Sequence, residues 1–238
     1  MTAKDRIIFP LDLPTLDEAL KYVRLLKDDV GFFKVGLELF VAAGPEVLKC
    51  IREAGGAGIF LDLKFHDIPQ TVQNACLSAK RHGARLITVH SDGGRRLLDA
   101  AVQGMKGSGT KVLAVTALTS LNAEDYADLG YKEGLSVHSL VLSRARMALE
   151  AGCDGIVCSG HETKAIREAS GPGFIIVNPG IRPDWDSLSS DDQRRVVTPS
   201  EAIGNGADYI VVGRPIRLAD DPVKAARRIA QEMTRSLT

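Results

Sequence analysis

Short runs rich in Val, Ile, Leu and Phe alternate along the chain with longer stretches whose apolar positions return every three or four residues. The short runs predict strands over residues 7–11, 32–35, 59–63, 86–89, 112–116, 155–158, 174–177 and 209–212. Most are almost continuously apolar, as strands covered on both faces are. The longer stretches predict helices over 16–26, 46–54, 71–82, 95–104, 137–151 and 222–236, the last with Pro222 at its first turn, where a missing N–H costs nothing. Gly31, Gly55, Gly83, Gly152 and Gly206 stand where a helix closes and turns towards the next strand.

Eight strand–helix repeats predict an α/β fold, a single (β/α)8 TIM barrel spanning residues 1–238 as one domain. An open doubly wound sheet would carry a glycine-rich turn after its first strand, but Pro10-Leu11-Asp12-Leu13-Pro14 contains no glycine. No linker, low-complexity run or shift in composition marks a second domain. Two connections are long, residues 117–136 and 179–200, and long connections in a compact domain are usually lids or binding loops. The first carries a short helix near 123–129.

The 238 residues hold 30 Lys+Arg and 30 Asp+Glu, so no net field favours nucleic acid or an acidic membrane as a partner. The apolar start is broken by Pro10 and Asp12 and does not read as a signal peptide. No stretch approaches the ~20 apolar residues of a membrane helix. The cysteines, Cys50, Cys76, Cys153 and Cys158, form no CxxC pair and read as buried thiols of a cytoplasmic protein.

In a barrel of this kind the reacting groups come from the C-terminal ends of the strands. There the chain places Asp12 after strand one, Lys34 in strand two, and Asp62-Leu63-Lys64-Phe65-His66-Asp67-Ile68-Pro69 at strand three. Residues two apart on a strand point the same way. If Leu63 faces the helices, Asp62 and Lys64 face the barrel axis, and with Lys34 and Asp67 they bring two acids and two ammoniums to one mouth. An ion pair serving only to tie strands together is a poor stabiliser, because desolvation offsets the attraction, so a fold gains little from a cluster of them. On the far side, Asn178-Pro179-Gly180-Ile181-Arg182 and Val212-Gly213-Arg214 follow strands seven and eight, where such barrels often bind phosphate. Gly180 and Gly213 would let backbone N–H groups approach an anion, and Arg182 or Arg214 would add a fork of donors. His90 reads as a packed histidine, His66 as turned away, and Asp92 as a helix cap. Trp185 and Tyr131 read as surface packing, and Arg144, Arg146, Arg194 and Arg195 as solvated faces.

Together these residues resemble the orotidine-5′-phosphate decarboxylase family across nearly the whole chain. The resemblance rests on Phe9-Pro10-Leu11-Asp12, Phe33-Lys34-Val35-Gly36, the run DxKxxDIPxT from Asp62 to Thr71, Leu118-Thr119-Ser120, Pro179-Gly180-Ile181-Arg182, Asp192-Gln193-Arg194-Arg195-Val196 and Val212-Gly213-Arg214. It implies decarboxylation of orotidine 5′-monophosphate to UMP, with no cofactor and no metal. Lys64 would donate the proton to C6, Asp62 would sit beside the departing carboxylate, and Lys34 would hold Asp62 and contact the ribose. Asp12 would bind ribose hydroxyls and Thr119 the base. Gln193 would link base and phosphate, and Pro179, Arg182, Gly213 and Arg214 would border the phosphate. Asp67 and Thr71 would reach across a homodimer interface to the partner's ribose. The nearest rival is a Mg2+-dependent sugar-phosphate decarboxylase or aldolase of the same superfamily. A non-catalytic pyrimidine-nucleotide sensor is the rival from another class.

Overall fold

The computed structural model describes residues 1–56, 58–132, 134–185 and 195–235. In chain order the elements are β1 (Ile7–Pro10), α1 (Leu16–Leu26), β2 (Phe32–Val35), α2 (Leu37–Ala43), α3 (Glu46–Glu53), β3 (Ile59–Phe65), α4 (Pro69–Arg81), β4 (Leu86–His90), α5 (Gly94–Met105) and β5 (Lys111–Val115). They continue with α6 (Ala123–Asp128), α7 (Val137–Glu150), β6 (Gly155–Val157), α8 (Gly160–Ser170), β7 (Ile175–Asn178), α9 (Pro199–Gly204), β8 (Tyr209–Val211), α10 (Arg214–Arg217) and α11 (Pro222–Thr234). Every strand pairs in parallel with its chain neighbours, and Ile7↔Ile210 and Ile8↔Val211 close β1 onto β8 as a barrel. The eight predicted strands are all present, each within two residues of its expected ends.

Alternation along the strands sorts the apolar residues into two layers. Ile8, Phe32, Phe60, Leu86, Leu113 and Val177 fill the barrel interior, with Val157, Ile175, Tyr209 and Val211 packed against them. The residues of opposite parity, among them Ile7, Phe9, Phe33, Leu61, Ile87, Ala114, Ile156 and Ile210, pack outward against the helices. The inward series fixes where the chemistry sits. Lys34 follows Phe32 by two, Asp62 follows Phe60 by two, and Thr88 follows Leu86 by two, so each continues an interior row at the C-terminal mouth.

Among the described residues, four helices lie outside the predicted set: α2, α8, α9 and α10. In α8 the buried face includes Glu162 and Thr163, so the apolar period is broken. In α2 only Leu39 is buried, while Leu37 and Val41 are exposed. Four of the expected helix-closing glycines have positive φ: Gly55 (+100°), Gly83 (+70°), Gly152 (+82°) and Gly206 (+102°). Gly31 does not. Its role is close approach, because a Cβ there would lie 2.1 Å from the Asp5 carbonyl oxygen.

All four cysteines are free thiols; Cys76, Cys153 and Cys158 are buried and their pKa values are pushed up to about 12, first by desolvation. No helix among the described residues is long and apolar enough to cross a membrane.

Candidate active site

A cavity of about 540 Å³ opens at the C-terminal mouth of the barrel. Its floor is apolar, from Phe60, Val115, Val157 and Val211, and one wall is a chain of alternating charges. The Lys34 ammonium lies 3.0 Å from Asp12 Oδ1 and 3.6 Å from Asp62 Oδ2. The Lys64 ammonium donates to Asp62 Oδ2 at 2.9 Å. The Thr88 hydroxyl donates to the other Asp62 oxygen at 2.9 Å and accepts from the Lys64 backbone N–H at 2.9 Å. Asp62 thus has both oxygens engaged and its two neighbouring cations fixed in place.

The electrostatics follow from this order. Burial opposes the charged form of Asp62, but Lys34 and Lys64, with hydrogen bonds from Lys64 and Thr88, outweigh it and hold the carboxyl below the usual aspartate range. Burial likewise opposes the Lys34 ammonium, and Asp62 and Asp12 overcome it, raising its pKa above the ordinary lysine value. Each charge is tolerable because the next one is present.

Lys64 does not reach the pocket by simple alternation. The pairing of β3 with β4 jumps from Leu61↔Ile87 to Phe65↔Val89, so β3 carries two extra residues in a bulge. Lys64 sits there at φ +49°, the only non-glycine with positive φ among the described residues. For a residue with a Cβ the left-handed region costs roughly 1–2 kcal/mol. The strained turn aims the amine at Asp62, while Leu63 packs towards the helical layer as expected.

The opposite corner is formed by Pro179, Gly180, Arg182, Gly213, Arg214 and Arg217. Gly180 has φ +72°, and the Ile181↔Val197 bridge holds the base of the connection that carries Arg182. A side chain at Gly213 would press on Pro10 at 3.0 Å. Arg217 donates to the Asp12 carbonyl at 3.1 Å, tying this corner to the end of β1.

Of the residues singled out from sequence, Asp12, Lys34, Asp62, Lys64, Thr119, Pro179, Arg182, Gly213 and Arg214 line the one cavity. Asp67 and Thr71 do not. Asp67 is exposed and its carboxylate accepts from the Ile68 N–H at 2.6 Å, so within one chain the second acid of the mouth is Asp12. Gln193 lies outside the described residues, as do Asp192 and Arg194.

Thr88 and Arg217 were not anticipated. The signal for Thr88 was a hydroxyl in register with an inward leucine; for Arg217 it was a second arginine three residues after Arg214. Asp92, Tyr131, Arg144 and Arg195 stand otherwise than expected, whereas Trp185, His66 and His90 stand as expected. Asp92 caps no helix by its side chain but pairs with Arg144, which is buried, and with Tyr131. Arg195 pairs with the buried Glu162. The Arg228 guanidinium carbon lies over the Trp185 ring, 4.7 Å from the ring centroid. His66 is exposed and stacks on the buried His90, with ring centroids 5.5 Å apart.

Fold and site together define an α/β-barrel protein with an acid–ammonium chain facing an arginine-lined corner. The chain matches the family model described as "Orotidine 5'-phosphate decarboxylase / HUMPS family" over residues 5–229 and belongs to that family. It is 49% identical over 237 residues to an orotidine 5'-phosphate decarboxylase of Desulfosudis oleivorans, covering 98% of this chain and 95% of the relative. It is 47% identical to one of Gloeothece citriformis, covering 96% and 97%. Among solved structures, the orotidine 5'-phosphate decarboxylase of Lactobacillus acidophilus superposes with a TM-score of 0.82 at 38% identity, covering 95% of this chain and 98% of that one.

Proposed function

We propose that this chain is a carbon–carbon lyase that converts orotidine 5′-monophosphate to UMP and CO2, the last step of UMP synthesis, with no cofactor and Lys64 as the proton donor. The reading is carried by one observation: the Lys64 ammonium stands beside an ionised, buried Asp62 in a cavity whose far corner holds Arg182 and Arg214.

The C6–carboxylate bond breaks, CO2 leaves, and the electron pair stays on C6 in the plane of the ring, where the π system delocalises it poorly. Lys64 supplies positive charge where that negative charge develops and then delivers a proton to C6, leaving a neutral amine. Two unit charges ~4 Å apart attract by roughly 4 kcal/mol at an effective dielectric near 20. Asp62 faces the substrate carboxylate and so disfavours the state in which that charge is still present. Lys34 and Asp12 meet the ribose, and Thr119 the base. Pro179, Arg182, Gly213 and Arg214 border the phosphate, with Gln193 bridging base and phosphate. Phosphate binding energy far from C6 can drive closure of the two long connections and so enter the rate.

The proposal includes a homodimer in the cytoplasm, with Asp67 and Thr71 completing the partner's ribose site, and residues 1–238 acting as one domain. Asp67 and Thr71 lie outside their own chain's cavity, which agrees with this reading. A Mg2+-dependent sugar-phosphate reaction is disfavoured, because a divalent cation at Asp62 would meet two ammoniums.

The test is release of CO2 from orotidine 5′-monophosphate by the purified protein in EDTA. Turnover in the wild type and a fall of several orders of magnitude in Lys64→Ala are expected. UMP binding without turnover would favour the sensor. Near-normal turnover in Lys64→Ala would remove the proton-donor role.

A further inference from the structure

We propose that Arg144 is a positioning residue that pins the connection between β5 and α7 over the substrate, an inference that rests on the function proposed above. This connection supplies Ala117, Leu118, Thr119 and Ser120 to the cavity wall. Arg144 sits in the middle of α7, one layer behind that wall, with only 6% of its surface exposed.

Its guanidinium holds both ends of the connection. Nη1 donates to the Thr116 carbonyl at 2.6 Å, between the cavity-lining residues Val115 and Ala117. Nη2 donates to the Tyr131 hydroxyl at 2.8 Å, on the returning limb after α6. The same Nη2 pairs with Asp92, whose carboxylate also accepts from the Tyr131 hydroxyl at 3.2 Å. Tyr131 meets Tyr126 of α6 edge to face at 5.4 Å, and the Arg144 guanidinium lies about 6.0 Å from the Tyr126 ring. The stem is held from the β4 side as well, where the Ser91 hydroxyl donates to the Val115 carbonyl at 2.7 Å.

The arrangement is costly for a helix that needs only to pack. A buried guanidinium loses its hydration, and an apolar residue of similar size would satisfy the α7 face at less expense. The planar fork instead bridges three acceptors on three separate segments: the stem, the return and the end of β4. Lysine would keep the charge but not that geometry. The segment pinned is the one that would present Thr119 to the pyrimidine, so a lost fork should appear in substrate binding and closure before it appears in the chemical step.

The test compares Arg144→Met, Arg144→Lys and Tyr131→Phe with wild type. Arg144→Met is expected to raise KM for orotidine 5′-monophosphate about tenfold or more with a smaller change in kcat, and Arg144→Lys to recover only part of it. Hydrogen exchange in the ligand-free protein is expected to rise across residues 117–131 and not in β4 or β5. This second readout needs no turnover: if the wild type fails to decarboxylate, the functional proposal falls while exchange alone still decides the clamp. Should Arg144→Met not fold, Tyr131→Phe keeps the core and removes only the returning-limb contact, with a smaller rise in KM expected. A folded variant with wild-type KM, or unchanged exchange in residues 117–131, overturns the proposal.

Discussion

Burial pushes the His90 imidazole down to about 4, and the nearby His66, Arg144 and Lys64 act in the same direction. Its Nδ1 accepts from the Asp92 N–H at 3.3 Å, so the ring is held neutral at the edge of the active site. An unfolded histidine titrates near 6.5. Between roughly 6.5 and 4 the unfolded chain therefore takes up a proton that the folded chain refuses, and stability falls as pH falls through that window. The full gap is worth roughly 3 kcal/mol. Asp62 acts in a lower window: its folded pKa lies below the ordinary value, so its contribution is present above about 3.9 and lost on further acidification. Urea denaturation at pH 7 and pH 4.5 should show the wild type losing about 2 kcal/mol more than His90→Gln. Equal losses would mean that His90 does not set the acid limb. At this scale the acids and lysines of the mouth were legible, since charged residues at strand ends stand out against apolar stems. Arg144 was not. An arginine on an amphipathic helix reads as solvated, and only folding brings Asp92, the Thr116 carbonyl and Tyr131 around it.

Strands were legible as elements because both their faces are buried, which leaves runs of β-branched and aliphatic residues that little else in the chain imitates. The bulge in β3 was not legible. Asp62 and Lys64 have the spacing of an ordinary alternating pair, and nothing in Leu63 or Phe65 announces a residue at φ +49°. The pair was brought together as expected, but by a strained turn rather than by the pleat. Gly31 shows the converse: its position after a helix suggested a left-handed cap, whereas the constraint is contact with the Asp5 backbone. The distinction can be measured. In Gly31→Ala the new Cβ would meet a backbone carbonyl at 2.1 Å, so the chain must shift, at a cost of about 1–3 kcal/mol or more. Gly173 has no positive φ and nothing within 4 Å of where its Cβ would stand, so Gly173→Ala should change stability by only about 0.5 kcal/mol. Thermal and urea denaturation should rank Gly31→Ala as the more destabilised; the reverse order would refute the close-approach account.

One barrel accounts for the cavity, but not for every residue that the family resemblance assigns to it. Asp67 and Thr71 follow Lys64 closely in sequence yet do not line their own cavity, Asp67 lying in the turn after β3 and Thr71 in α4. Beside them in sequence Ile68 is 66% exposed, and on α2, which follows β2, Leu37 and Val41 are 58% and 81% exposed. A twofold partner covering these side chains would bury them and bring Asp67 to a second cavity. The geometry then makes a quantitative demand. Lys64→Ala removes the ammonium from a site's own chain, while Asp67→Ala removes the acid contributed by the other chain. In a dimer with one subunit of each kind, one site carries both defects and the other carries neither. Random exchange makes half of the dimers mixed, so about a quarter of all sites should regain wild-type activity although both parents are nearly inactive. Sites confined to single chains would give only the average of the two parents, however completely the subunits exchanged. Activity no higher than that average in verified mixed dimers would return Asp67 to the surface of its own chain and remove the reason for the dimer.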